Sequence, residues 1–293
     1  MISIIKRNCP SCSSQSAEFE LKPEIDPYAN IELLPEYWRG FNEKKIFFPY
    51  CRCKCGLLYC DSYFDSKSIM SLYSSMDDNI HGDEFSDNLT REHYLGFLNL
   101  SHSSSNLKIL EIGADNGSFS KKILEKLDTV DIDVIEPNQN MKMVLENTFS
   151  NYYEKIEDID SSDKYDLIIA IHVLDHVSDL NEFINKIQVL LKKGGKLMVV
   201  VHNERSLLSR VLGKRWPAYC LQHPHLFNKV SLKSVMEKHN LQSLNIKDSK
   251  NYFQIGYLLH HIFLAVFRLK IRFPSFFSIG LKLGNIMSIF IKK

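Results

Sequence analysis

The sequence predicts an α/β fold: a doubly wound, largely parallel sheet preceded by a small cysteine-rich module and a helical lid. Three observations predict it. From Leu107 onward, short apolar runs alternate with amphipathic stretches at helical spacing, the pattern of a parallel sheet covered on both faces. Six of the seven cysteines fall between Cys9 and Cys60. Between these regions, apolar and aromatic residues recur at helical spacing around a polar tract. With 293 residues and 44% hydrophobic content, the chain can bury the core of one large or two modest domains.

Residues 1–62 are rich in cysteine, aromatics and proline and show little helical periodicity. So short a segment buries too little apolar surface to fold unaided, and a metal is the expected staple. Cys9-Pro-Ser-Cys12 has the spacing at which two thiolates grip one zinc ion. The partner pair is Cys53 and Cys55, with Cys51 as an alternative to Cys53. Four sulfur ligands close the coordination shell, so the role is structural. Cys60 and Cys220 read as plain buried thiols. Clustered cysteines suit metal binding in a reducing compartment, and the start MISIIKRNCPSC lacks the layout of a signal peptide. A cytoplasmic protein is therefore expected.

Residues 63–105 form a helical connector or lid, carried by Ile69, Leu72, Tyr73 and Met76, then Tyr94, Leu95 and Leu98. The polar tract 77–88 interrupts it, and the serine-rich 102–106 closes it as a linker. Strands follow at 108–112, 130–136, 165–171 and 195–201, with helices at 118–127, 139–148 and 179–191 between them. The tail 251–293 is expected to hold an amphipathic helical insertion and a last strand. Its segment 257–269, YLLHHIFLAVFRL, is short of the roughly 20 apolar residues that cross a bilayer and reads as a buried or lid helix. Lys+Arg 36 against Asp+Glu 35 leaves no basic field for nucleic acid, so a small-molecule partner is favoured.

The chemistry begins at 108–120, KILEIGADNGSFS, where an apolar run ends in Glu111 and turns through Gly113 and Gly117 into a helix. Glycine serves where positive φ or close ligand approach excludes a Cβ. An acid at the strand end opposes a pyrophosphate but suits an ammonium group, which points to S-adenosylmethionine rather than a dinucleotide. The next strand ends in Glu136, about 25 residues further on, as expected of a carboxylate that holds both ribose hydroxyls. Asp158 and Ile159 precede the central strand, where an acid and an apolar side chain suit an adenine ring. YDLIIAIHVLDHV then brings His172 to a strand end, and LKKGGKLMVVV follows.

Over residues 107–203 these motifs, in this order, resemble the class I S-adenosylmethionine-dependent methyltransferases. The resemblance implies a Rossmann-like methyltransferase sheet over 106–293. It implies Glu111, Gly113, Ala114, Asp115 and Gly117 around the methionine end, Glu136 and Pro137 at the ribose, Asp158 and Ile159 near the adenine, and His172 at the methyl-transfer end. Asp115 stands where the family loop has a middle glycine. An aspartate tolerates left-handed geometry, so binding is expected to persist. The preceding zinc-ribbon-like cysteine module is similar to that of sugar C-methyltransferases and related enzymes of polysaccharide and antibiotic assembly.

The acceptor side is sought in KRWPAYCLQHPHLF, with histidines at 223 and 225. Histidine deprotonates a hydroxyl or amine near working pH, and His223 is the candidate base, with His172 as a second candidate catalytic group. Aligned with the YHEH segment of sugar C-methyltransferases, His223 is kept while Gln222 and Cys220 replace the acid and the tyrosine. That favours transfer to oxygen or nitrogen over carbon. Asp175 and His176 are expected to stabilise the turn. The expected function is thus methyl transfer to a small polar acceptor, a sugar or a nucleotide- or lipid-linked sugar. The rival is a non-catalytic cofactor- or partner-binding protein on the same fold.

Overall fold

The computed structural model describes residues 2–15, 18–29, 31–38, 45–74, 84–100, 106–267, 269–274 and 277–293. Met76, residues 77–83 of the polar tract, residues 102–105 of the linker and Arg268 lie outside them.

Seven strands form the central sheet: β1 (Leu107–Ile112), β2 (Val130–Ile135), β3 (Asn151–Tyr153), β4 (Tyr165–Ile171), β5 (Leu191–His202), β6 (Leu241–Asp248) and β7 (Asn285–Lys292). Their spatial order is β3-β2-β1-β4-β5-β7-β6. The first five run parallel, and β7 is antiparallel to both β5 and β6. Strand order reverses between β1 and β4, and in such a sheet the crevice outside those carboxyl ends takes the ligand.

The central strands are apolar because helices cover both faces. Ile168, Ile169 and Ala170 of β4 and residues 197–201 of β5 are fully buried. Helix Leu180–Leu190 begins where the Asp179 side chain accepts the Glu182 N–H at 2.9 Å, and it buries Leu180, Ile184, Ile187 and Leu190. The sequence reading began the next strand at Gly195, leaving residues 192–194 between helix and strand. Instead the helix stops at Leu190, and the Lys-Lys-Gly-Gly stretch enters β5 through a register shift between Leu191 and Lys196.

The cysteine-rich segment is completed from far down the chain. Strands Phe19–Leu21, Tyr50–Arg52 and Leu58–Cys60 form a sheet whose fourth member is His225–Leu226, paired with Tyr59 and Leu58. Trp216, Tyr219 and Leu221 fill the same core as Trp38, Phe47, Phe48 and Tyr50. Few and short strands bury too little by themselves, so the segment takes an edge and an aromatic wall from residues beyond β5. Arg7 ties the junction: its guanidinium donates to the Ser178 and Pro224 carbonyls, each at 3.2 Å.

Helices Ser66–Ser74 and Glu84–Leu98 lie beside the open end of the sheet. The tail holds helix Ile255–Phe267 between the antiparallel strands Asn251–Gln254 and Ser278–Leu281, a hairpin the sequence reading did not include. That hairpin docks on the second lid helix, with Tyr252 N–H donating to Thr90 Oγ1 at 2.9 Å. No helix among the described residues is long and apolar enough to cross a membrane.

Candidate functional site

A cavity of about 690 Å³ opens where the strand order reverses. That volume suits a cofactor-sized ligand with a small second substrate. Glu111, Gly113, Ala114, Asp115, Glu136 and Pro137 line one end. Gly113 has φ 71°, and a Cβ there would stand 2.7 Å from Val173 Cγ2. Gly117, φ 73°, does not line the cavity; its missing Cβ makes room for the Phe149 ring instead.

Asp115 adopts the left-handed conformation at φ 51°, and its N–H donates to Glu136 Oε2 at 2.8 Å. Asn138 N–H donates to the other carboxylate oxygen at 2.9 Å. Each Glu136 oxygen thus has one backbone donor and keeps a lone pair for a second, the arrangement that receives a vicinal diol. Burial raises the Glu136 pKa.

Glu111 accepts the hydroxyl and N–H of Ser120, and burial pushes its pKa up to about 7. An incoming ammonium group favours the ionised form, so the site is set for a cation. The folded-state pKa lies above the ordinary carboxyl value of 4.5, so ligand-free protein loses stability as pH rises through about 7. Glu111→Gln should remove that loss: between pH 5 and 8, thermal melting of the variant should fall by a few °C less than the wild type. Equal falls in the two proteins would count against this role.

The structure does not bring Asp158 and Ile159 to the wall. Asp158 accepts the Lys155 N–H at 3.3 Å, and Ile159 is buried in the core. Ile156 and Glu157, earlier in the same turn, line the cavity, and Lys186 holds the Glu157 carboxylate. A one-turn 3-10 helix at Ile156–Asp158 sets this offset by turning the Asp158 side chain back on the Lys155 N–H that opens the turn.

Tyr73, His172, His176 and Gln222 line the other end. His172 is held at φ 54°, a strained conformation typical of functional positions. Its Nε2 receives the Asn285 amide at 3.2 Å, while its Nδ1 is buried without a partner among the described residues. Burial drives its pKa down to about 3, so the ring is neutral.

His223 is not on the wall. It is 5% exposed and stands behind His176, with the two Nε2 atoms 3.1 Å apart. His176, read from sequence as a turn stabiliser, takes the wall position, its Nδ1 2.8 Å from the Tyr73 hydroxyl. The reason is topological: His223 enters behind the β4 turn because its neighbour His225 is pinned in the cysteine-module sheet, bonding the Leu174 carbonyl at 2.6 Å. Cys220 is more than packing, since its sulfur lies 3.3 Å from His223 Nδ1. Asp175 does fasten the turn, accepting both the backbone and the ring N–H of His202.

His202 escaped the sequence reading, although a histidine closing the apolar run of β5 at the carboxyl edge of the sheet was a visible signal. Its ring centre lies 4.7 Å from that of His223 and 4.6 Å from that of His172, tilted against both. The groups His172/Asp175/His202 and Asp175/His176/His223 each gather ligand atoms within 4.8 Å, the reach of a metal ion.

A second gathering joins Cys9, Cys12, Cys53 and Cys55, with Cys9–Cys55 sulfurs 3.6 Å and Cys12–Cys53 sulfurs 3.3 Å apart. Tetrahedral zinc with sulfur at about 2.3 Å needs sulfurs about 3.8 Å apart, so four thiolates of this set fit it. Cys53 rather than Cys51 takes part in this gathering.

The methyltransferase-domain family matches residues 84–246. Among curated proteins, the mitochondrial ubiquinone biosynthesis O-methyltransferase of Dictyostelium discoideum is 24% identical over 166 residues, 50% of this chain and 47% of that protein. A highly reducing polyketide synthase of Aspergillus carbonarius is 28% identical over 141 residues, 39% of this chain and 6% of the synthase. The chain thus spans less than half the length of either relative. Among solved structures, the complex of the Haloferax volcanii Trm112 methyltransferase activator with a methyltransferase gives a TM-score of 0.51 at 10% identity, covering 71% of this chain and 91% of that one. This likeness shows the fold.

Proposed function

The chain belongs to the methyltransferase-domain family, and from that premise we propose that it moves the methyl group of S-adenosylmethionine to oxygen or nitrogen of a small polar acceptor. A sugar or sugar conjugate of polysaccharide or secondary-metabolite assembly is the acceptor class we favour. One observation carries the reading. A single cavity joins the buried acids Glu111 and Glu136 at one end to Tyr73, His172 and His176 at the other, so donor and acceptor can lie in line.

S-adenosylmethionine supplies an electrophilic methyl on a sulfonium. The protein's part is mostly alignment, which by itself removes a large share of the barrier. Glu111 receives the ammonium, Glu136 the ribose hydroxyls, and the loop at Gly113 and Ala114 lets the backbone approach. His172, neutral and held through its Nε2 by the Asn285 amide, gives the acceptor end a fixed, uncharged wall. The lid helices and the docked tail hairpin exclude water from the reacting atoms. An O-methyltransferase among the relatives supports oxygen as an acceptor atom.

The four clustered thiols suit a structural zinc ion that holds residues 1–62 together, in a protein of the reducing cytoplasm. The chain's three segments, 1–62, 63–105 and 106–293, then serve as zinc module, lid and transferase.

Titration calorimetry of the 293-residue chain with S-adenosylhomocysteine should give one site with micromolar or tighter affinity. Tritium from labelled S-adenosylmethionine should then pass to one member of a panel of nucleotide sugars. Absence of binding to folded protein would sink the cofactor reading. Binding with no transfer to any panel member would overturn the sugar assignment and favour a binding role.

A further inference from the structure

At the acceptor end, Asp175, His176 and His223 bring one ligand atom each within 4.8 Å of one another. His176 Nε2 stands 3.1 Å from His223 Nε2 and 3.9 Å from Asp175 Oδ1. Nitrogen and oxygen ligands at roughly 2.0–2.2 Å from a tetrahedral ion lie about 3.4 Å from one another, and the two separations bracket that value. Asp175 is fully buried, and its Oδ1 has no hydrogen-bond partner among the described residues. A bare buried carboxylate oxygen is costly, and a cation beside it removes the cost.

The outer hydrogen bonds hold all three side chains as metal ligands are held. The Ala218 carbonyl, 2.6 Å from His223 Nδ1, can only accept, so that nitrogen carries hydrogen. The Tyr73 hydroxyl, 2.8 Å from His176 Nδ1, can accept a hydrogen there. Asp175 Oδ2 accepts both the backbone and the ring N–H of His202, which orients the carboxylate and leaves Oδ1 over. With hydrogen on both Nδ1 atoms, two bare Nε2 atoms face each other and need a proton or a metal ion beside them. A proton would serve the nitrogens and leave Asp175 Oδ1 at 3.9 Å, beyond hydrogen-bond reach. An ion serves all three. Resting on the methyltransferase reading, we propose that Asp175, His176 and His223 hold a divalent transition-metal ion that binds the hydroxyl group of the acceptor.

Two imidazoles and a carboxylate suit such an ion, and three protein ligands leave a position open, as in catalytic rather than structural sites. His176 lines the cavity, so the ion and the acceptor reach the site from it. The ion also narrows the acceptor. An amine would give the ion the lone pair that the methyl needs, whereas a hydroxyl oxygen keeps a second one. On binding the ion, the acceptor's hydroxyl is acidified and gives its proton to water. Its oxygen then bonds to the methyl carbon as the carbon–sulfur bond breaks, with the electron pair staying on sulfur. The methyl ether leaves the ion.

The test gives the 293-residue chain excess Co2+, with and without S-adenosylhomocysteine, and removes loose metal by gel filtration. Total metal, cobalt plus zinc, should be about one equivalent per chain higher in the wild type than in His176→Ala, whatever the thiols hold. Equal counts overturn the site. Proton NMR of the wild-type cobalt form needs no variant: two exchangeable ring N–H signals, from His176 and His223, should move far outside the range of ordinary protein signals. Their absence also overturns the site, because cobalt on thiolates alone cannot produce them. With a hydroxyl acceptor that takes label, His176→Ala should lower kcat on the order of 100-fold and leave the S-adenosylmethionine KM unchanged. A kcat within about threefold of wild type, or label on amines alone, would remove the ion from the reaction. A chain that binds no S-adenosylhomocysteine yet shows the metal difference and the shifted signals keeps the site and loses the methyltransferase reading.

Discussion

Glu136→Ala should weaken S-adenosylhomocysteine binding on the order of 100-fold. Two hydrogen bonds from a diol to one carboxylate are worth roughly 1.5–3 kcal/mol each, discounted here because alanine admits water in its place. The carboxylate also anchors Asp115 N–H and Asn138 N–H, so some loop order is lost with it. Asp158→Ala is the matching control. Its side chain caps its own turn and stands off the wall, so binding should change by no more than about twofold, a difference of about 0.4 kcal/mol. Calorimetry on both variants, with melting curves to confirm folding, separates the two acids. Equal losses would return Asp158 to the adenine site.

Cys9→Ser combined with Cys12→Ser should lower the melting midpoint on the order of 10 °C, the shift expected when several kcal/mol are lost from a domain of this size. Prolonged chelation of the wild type should do the same and release about one zinc per chain. The effect should reach the active site, since Cys9 and Tyr59 belong to the same core as β4 and β5. The neighbouring strand Leu58–Cys60 also pairs with His225–Leu226. Arg7 adds a direct tie to the Ser178 and Pro224 carbonyls on the two loops that carry His176 and His223. Loss of zinc should therefore slow methyl transfer before it weakens S-adenosylhomocysteine binding. Metal analysis that finds no zinc, with melting unchanged by chelation, would remove this role.

The cofactor half was legible because its parts are local. Glu111, Gly113 and Asp115 sit within one turn of chain, and Glu136 ends the next strand, so strand period and loop length carry them to the same crevice. The Asp158 offset shows the limit of that reasoning, since one turn of 3-10 helix decides which of three adjacent side chains meets the cavity. The acceptor half depends on long-range placement. His176 and His223 are 47 residues apart, and Tyr73 is 103 residues from His176, so only packing can set them in hydrogen-bond contact.

By itself, then, the sequence determined the doubly wound sheet, the acid-first loop, the acid that closes the second strand and the cysteine pairs, because each follows from periodicity, glycine geometry or ligand spacing over a few residues. Tertiary structure alone decided that His225–Leu226 completes the cysteine-bearing sheet, that this pins His223 behind His176, and that Tyr73 faces the cavity in front of them. Those contacts are chosen by shared burial and by matching donors to acceptors across distant segments. Neither leaves a periodic trace along the chain.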